Sequence, residues 1–296
     1  MSRGHDNEVY DSRVTPHSTP RRAERPTDGI TPQPDRENPE RSPRPVNRQV
    51  HRSGQRTYRL RDSEISTLTE IAKFRAIRTE DLIRIHYRGD SHRASTDLRN
   101  LTAQGLIEKR TLHGRERGQL VSVSRDAKKF IERNRSDGVL KDQVFHQGFV
   151  KPREARHDTA LYRLYHKVAE EIERDGGKNL RVVLDFELKK DLYRDLARLK
   201  GLSPNEQEDQ KQEIAEAHGL KVVNGKVPLP DLRIEYENRD HEQSRLDLEL
   251  ATSDYRGNQL AEKAQAGFSI YAPADEVGRV RAALQDPHLM TEILSL

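Results

Sequence analysis

The chain has 296 residues, a formal net charge of +4 and 34% charged residues, which is length enough for two domains of ordinary size. It has no cysteine, which excludes disulfides, thiol chemistry and cysteine-ligated zinc. No apolar run approaches the ~18 residues of a membrane span, and the polar, proline-rich start lacks a signal-peptide pattern, so the expected location is the cytoplasm with no membrane partner.

Residues 1–56 contain eight of the 14 prolines, 11 arginines and 8 acids, without apolar periodicity. They read as a disordered Arg/Pro-rich tail. Its arginines suit bidentate phosphate contacts, although a solvated arm with no defined partner is the plainer reading.

Order is expected from about Tyr58, with a first domain over residues 57–135. Asp62 or Ser63 can cap a helix that repeats Ile65, Leu68, Ile71 and Phe74 at helical spacing. Thr79 is placed to cap a second helix, closed by Gly89. Ser91 is placed to cap a third, whose apolar stripe Ala94, Leu98 and Leu101 ends at Gly105. A strand (LIEKRTL), a turn from Gly114 to Gly118 and a second strand (QLVSVS) follow, and Ser124 starts a fourth helix carrying Phe130 and Ile131. That order is the recognition helix and wing of a winged helix-turn-helix.

Charge points the same way: residues 57–135 hold 18 Lys/Arg against 11 Asp/Glu. Double-stranded DNA is therefore the expected partner. On the third helix His92, Thr96 and Arg99 lie opposite the apolar stripe, with Arg93, Ser95 and Asn100 beside them. Arg and Asn reach guanine and adenine edges bidentately in the major groove, and Ser, Thr and His add weaker contacts. Arg115 and Arg117, in the glycine turn, are placed for phosphate or the minor groove. Such modules also serve as transcriptional regulators or protein-docking units.

Residues 136–155 read as a linker broken by Gly138, Gly148 and Pro152. The rest of the chain, from 136 on, has 24 Lys/Arg against 30 Asp/Glu. A second, α/β domain is expected over 156–296. Its long first helix carries Leu161, Leu164, Val168 and Ile172 and ends at Gly176–Gly177. A strand over 179–188 (NLRVVLDFEL) would carry Glu187 as an auxiliary acid. Residues 189–224 read as a charged helical excursion. Strands over 228–236 and 245–250, a helix, a strand and a last helix complete the order α-β-(insert)-β-β-α-β-α.

If the two later strands pair, Asp231 and Glu249 converge at one sheet edge, and Asp247 shares the face of Glu249. Two carboxylates suit Mg²⁺, which could activate water at a phosphate, and Lys263 on the next helix is the nearest cation. The twelve histidines show no zinc-binding spacing, and His157 and His166 read as packing or surface residues. No Walker A or GxGxxG stretch is present.

The α-β-β-β-α-β order with Pro230-Asp231, then Glu249, resembles the PD-(D/E)XK nuclease superfamily. Its usual lysine position is Ala251 here, and Lys263 matches the variant in which lysine moves to the following helix. Taken together, LIRIHYRGDSHRASTDLRNLTAQGLIEKR, HDTALYRLYHKVAEEI, VPLPDLRIEY and LDLELATSDYRGNQLAEKAQAGFSIY resemble the bacterial replication-relaxation family of plasmids and mobile elements. Glu249, Arg256–Gly257 and Lys263 match its strand-borne acid, Arg-Gly turn and lysine-bearing helix. The resemblance covers roughly residues 57–285. It implies a winged helix joined to a PD-(D/E)XK-like domain, and DNA transactions in replication, relaxation or mobilisation, with replication or mobilisation proteins as further partners. A homodimer is compatible with it. It also implies a choice between a DNA-binding protein and a Mg²⁺-dependent nicking endonuclease with catalytic Asp231, Glu249 and Lys263, the first two holding the metal.

Overall fold

A hairpin of β1 (Gln49–Ser53) and β2 (Arg56–Leu60) leads into the first lobe. The computed structural model describes residues 48–113, 117–135, 141–149, 151, 154–252, 257–283 and 294–295. The expected tail up to residue 47, together with Arg115 and Arg256, lies outside the described residues. Residues 48–56 were expected in that tail and are instead ordered in the hairpin. His51 pairs with Tyr58 in register, and both rings meet Phe130 edge-on at 5.8 Å. Its strand partner β2 is adjacent, but Phe130, against which both rings rest, lies more than 70 residues downstream, so local composition does not reveal the packing.

Four helices and a small sheet follow. They are α1 (Asp62–Ala72), β3 (Ile77–Arg78), α2 (Thr79–Ile85), α3 (Ser91–Ala103), β4 (Ile107–Leu112), β5 (Gly118–Val123) and α4 (Arg125–Asn134). The strands lie in the order β3-β5-β4, all antiparallel. The expected helices are present, with caps shifted by one residue. Asp90, not Ser91, caps α3, its carboxylate accepting from the Arg93 N–H at 2.9 Å. Arg61 and Arg78 occupy the cap positions of α1 and α2, and the Glu64 carboxylate closes α1 by accepting from the Arg61 N–H. Ser124 caps α4 as expected. Gly105, at φ 69°, supplies the left-handed residue that turns the chain from α3 into β4. Ala94, Leu98 and Leu101 are buried, as their spacing requires.

The stretch expected as a linker includes packed residues among those described. Gln143, Phe145 and His146 are buried. The Gln143 amide accepts from Val182 N–H and donates to Val182 C=O, both at 2.9 Å. It thereby satisfies an edge strand that would otherwise bury unpaired backbone groups.

The second lobe contains α5 (Ala155–Arg174), β6 (Lys178–Leu184), α6 (Asp185–Leu196) and α7 (Pro204–Ala217). It continues through β7 (Leu232–Glu237), β8 (Gln243–Leu250), α8 (Gly257–Gln265), β9 (Ser269–Ala272), α9 (Val277–Ala283) and β10 (Leu294–Ser295). The sheet order is β10-β9-β8-β7-β6, antiparallel across β6, β7 and β8 and parallel beyond. The molecule is thus α+β. The strand expected over 179–188 stops at Leu184, and Glu187 lies in the first turn of α6, where it accepts from the Leu184 N–H. Leu184 pairs with Leu232 at the sheet's end, so the polar residues beyond it start a helix instead.

Helix α5 unites the lobes. Leu161, Leu164, Val168 and Ile172 join a core with Leu232, Ile234, Leu248 and Leu250 of the sheet. Tyr162 and Tyr165 meet Phe74 of the first lobe at 5.1 and 5.3 Å. His166 pairs with buried Glu70 at 2.6 Å. One continuous apolar core therefore crosses the boundary expected between the two domains.

Candidate functional site

Two surfaces carry the residues singled out above. The first is the outer face of α3. Asp97, Leu98 and Leu101 turn inward, so a helix of 3.6 residues per turn leaves His92, Arg93, Ser95 and Arg99 exposed and Thr96 half-buried. Arg93 and Arg99 make no side-chain hydrogen bond or ion pair among the described residues. Arg99 also lines a groove of about 530 Å³ with Ser95, Thr102 and Lys109.

Asn100 departs from this face. Its amide donates to the Arg59 carbonyl at 3.2 Å and to Glu64 Oε1 at 3.0 Å, tying α3 to the hairpin. Arg117 is exposed at the start of β5, and its carbonyl accepts from Arg78. The helix axis is set from below by Asp97, which is fully buried. Asp97 accepts from Ser63 at 3.0 Å and from the Tyr87 hydroxyl at 3.4 Å, and Arg61 stands 3.6 Å away. Burial and the nearby Asp97 charge raise the Tyr87 pKa, so this hydroxyl stays a donor. Asp97 was invisible to pattern reading, which treats an acid inside an apolar stripe as surface.

The second surface is the sheet edge where β6 ends, β7 begins and β8 ends. The pairing of Leu232 with Leu248 sets Asp231 and Glu249 at neighbouring positions on one face. Glu249 is fully buried, and Lys263 Nζ lies 2.8 Å from its Oε1 and donates to the Leu229 carbonyl at 2.6 Å. Asp231 Oδ2 accepts from the Leu250 N–H at 2.9 Å and lies 3.2 Å from His157 Nε2. The other imidazole nitrogen is 3.4 Å from Asp158. Burial opposes charge on His157, but Asp158 and Asp231 outweigh it, and its pKa is pushed up to about 10. Burial also raises the Asp185 carboxyl, helped by Asp231 and Asp158.

All three expected catalytic side chains therefore reach this edge, together with His157, Asp158 and Asp185. Sequence spacing alone treats His157 as a packing or surface residue; only its nearness to Asp231 reveals it. Asp247 instead holds Arg233 in a two-toothed pair at 2.6 and 2.9 Å, and Arg233 also donates to the His218 and Gly219 carbonyls, which is a structural job. Glu187 serves the α6 start and His146, at 3.0 Å.

Mg²⁺ asks for open carboxylate oxygens, water and phosphate oxygen. Here Asp231 lies against His157 and Glu249 against Lys263, so each carboxylate already faces a basic side chain of the chain itself. For Mg²⁺ to enter, those basic groups would have to move off the carboxylates.

Comparison with family models, with curated proteins and with solved structures finds no match for this chain.

Proposed function

We propose that this protein binds double-stranded DNA, with α3 as the recognition helix of a winged helix-turn-helix and the β4–β5 hairpin as its wing. One observation carries the reading: α3 presents Arg93 and Arg99 on an exposed face, with His92, Ser95 and Thr96 around them, and neither guanidinium has a partner within the described protein. Both are presented outward, where base edges and phosphates can be met. The resemblance to the replication-relaxation family supports a setting in plasmid or mobile-element replication, relaxation or mobilisation.

We take the second lobe to be the PD-(D/E)XK-like domain that the resemblance implies. We read it as a docking platform for DNA or partner proteins, because its carboxylates are neutralised internally. Binding is tested by titrating labelled duplexes of different sequence at low and moderate salt. Arg99→Ala should lose about 1–3 kcal/mol of preference for the best sequence, the worth of one bidentate base contact. Equal binding of all duplexes by wild type and Arg99→Ala would remove α3 from sequence readout.

A nicking endonuclease is the second reading, favoured by the meeting of Lys263 with Glu249 beside Asp231. Supercoiled plasmid incubated with Mg²⁺ or Mn²⁺ decides it. Nicking by wild type that is abolished in Glu249→Ala supports cleavage, and equal nicking by both sinks it.

A further inference from the structure

We infer that duplex DNA bound at α3 is also held by its phosphate backbone in a second cleft, at the junction of the two lobes, through Arg84, Arg88, Arg163 and Lys167. This rests on the reading of α3 as a DNA-binding helix and extends it to the second lobe. The cleft, of about 800 Å³, lies between α2, the turn into α3, α5 and the residues that follow β9.

Its cations are arranged rather than scattered. Buried Asp81 accepts from Arg84 at 3.0 Å through one oxygen and from Arg163 at 3.4 Å through the other. One carboxylate from α2 thus fixes a guanidinium of each lobe, and each guanidinium has further N–H donors beyond that contact. Lys167 lies one turn beyond Arg163 on the same face of α5.

Arg88 is the residue that joins this cleft to α3. It is exposed and makes no hydrogen bond or ion pair among the described residues. Its backbone is left-handed, at φ 52°, and Gly89 follows at φ 85°, two such residues in succession in the turn before α3. A non-glycine side chain in that conformation is disfavoured, and such positions recur at ligand contacts. Glu170 and Asp275 also line the cleft, so its formal charge is only slightly positive. Asp81, the remaining acid, is shielded beneath two arginines. An isolated anion would gain little from so small an excess. A polyanion whose phosphates already lie along α3 passes Arg88 at the turn and meets the other cations in sequence.

The test titrates the intact chain with two duplexes sharing one core site, of about one helical turn (~10–12 bp) and about three turns (~30 bp). The variant is Arg88→Gln/Lys167→Gln, with Arg88→Lys/Lys167→Arg as the charge-conserving control. The neutral pair should bind the long duplex at least tenfold more weakly than wild type and the short one within twofold. Its salt dependence on the long duplex should flatten by about two contacts, near 0.9 in log–log slope each. The charge-conserving pair should match wild type in affinity and in unfolding temperature. Wild-type affinity of the neutral pair for the long duplex, or equal losses on both lengths, would overturn the inference while leaving α3 in place. Failure of wild type to bind either duplex would overturn the α3 reading, and this extension with it.

Discussion

Lys263 holds its ammonium 2.8 Å from the Glu249 carboxylate, which has no exposed surface, and the same ammonium caps the Leu229 carbonyl. The pair joins α8 to the end of β8, and it is what makes an acid tolerable inside an otherwise apolar strand.

Removing one partner should therefore cost far more than removing both. Lys263→Met is expected to destabilise the protein by about 3–5 kcal/mol, because it strands a buried charge. Glu249→Leu/Lys263→Met should recover most of that loss. Urea unfolding of the three proteins measures it; equal losses in the single and double variants would show that the lysine does not compensate the glutamate.

His157 predicts a pH dependence. Asp158 and Asp231 hold its proton against burial, so its pKa rises from 6.5 in a free histidine to about 10 in the fold. The folded chain binds that proton more tightly than the unfolded chain does. The resulting stabilisation is complete below about pH 6.5 and is lost as pH rises toward 10. The stability difference between wild type and His157→Gln should be largest near pH 6 and vanish by about pH 10. A difference that is flat over this range would show that the His157 proton is not coupled to folding.

Asn100 and Arg117 should separate structure from recognition. Asn100 bonds inward, to Arg59 and Glu64, so Asn100→Ala is expected to lose about 1–2 kcal/mol of stability with little change in DNA sequence preference. Arg117 is exposed, so Arg117→Ala should leave stability unchanged. It should weaken binding to all duplexes alike and reduce the salt slope by about one contact. Thermal melts beside gel shifts at several salt concentrations test both. An altered base preference in Asn100→Ala would mean that its amide leaves Glu64 to reach DNA.

Phe74 tests whether the lobes behave as one. Its ring meets Tyr162 and Tyr165 of α5 edge-on. Phe74→Ala should cost about 3–5 kcal/mol through the lost contacts and the cavity left behind. Because the core is shared, wild type should unfold in one transition seen equally by tyrosine near-ultraviolet and by backbone circular dichroism. Two separated transitions in wild type would mean that the lobes are energetically independent.

Local patterns were enough to place α1 and α3 from their 3.6-residue stripes and α2 between Thr79 and Gly89, to mark Gly105 as the turn after α3 and Ser124 as a cap, and to order the elements of the second lobe. These depend on neighbours within a few residues, which a linear chain displays openly. The packing of the β1–β2 hairpin on Phe130, the packed segment around Gln143, the end of β6 at Leu184 and the inward turn of Asn100 each depend on partners far away in the chain. So do the two pairings that balance the carboxylate edge, His157 with Asp231 and Lys263 with Glu249. Residue type shows that a carboxylate is present, but only the fold decides which cation it faces and how far from water it lies. Those two quantities govern whether it can hold a metal, carry a proton or simply anchor a strand.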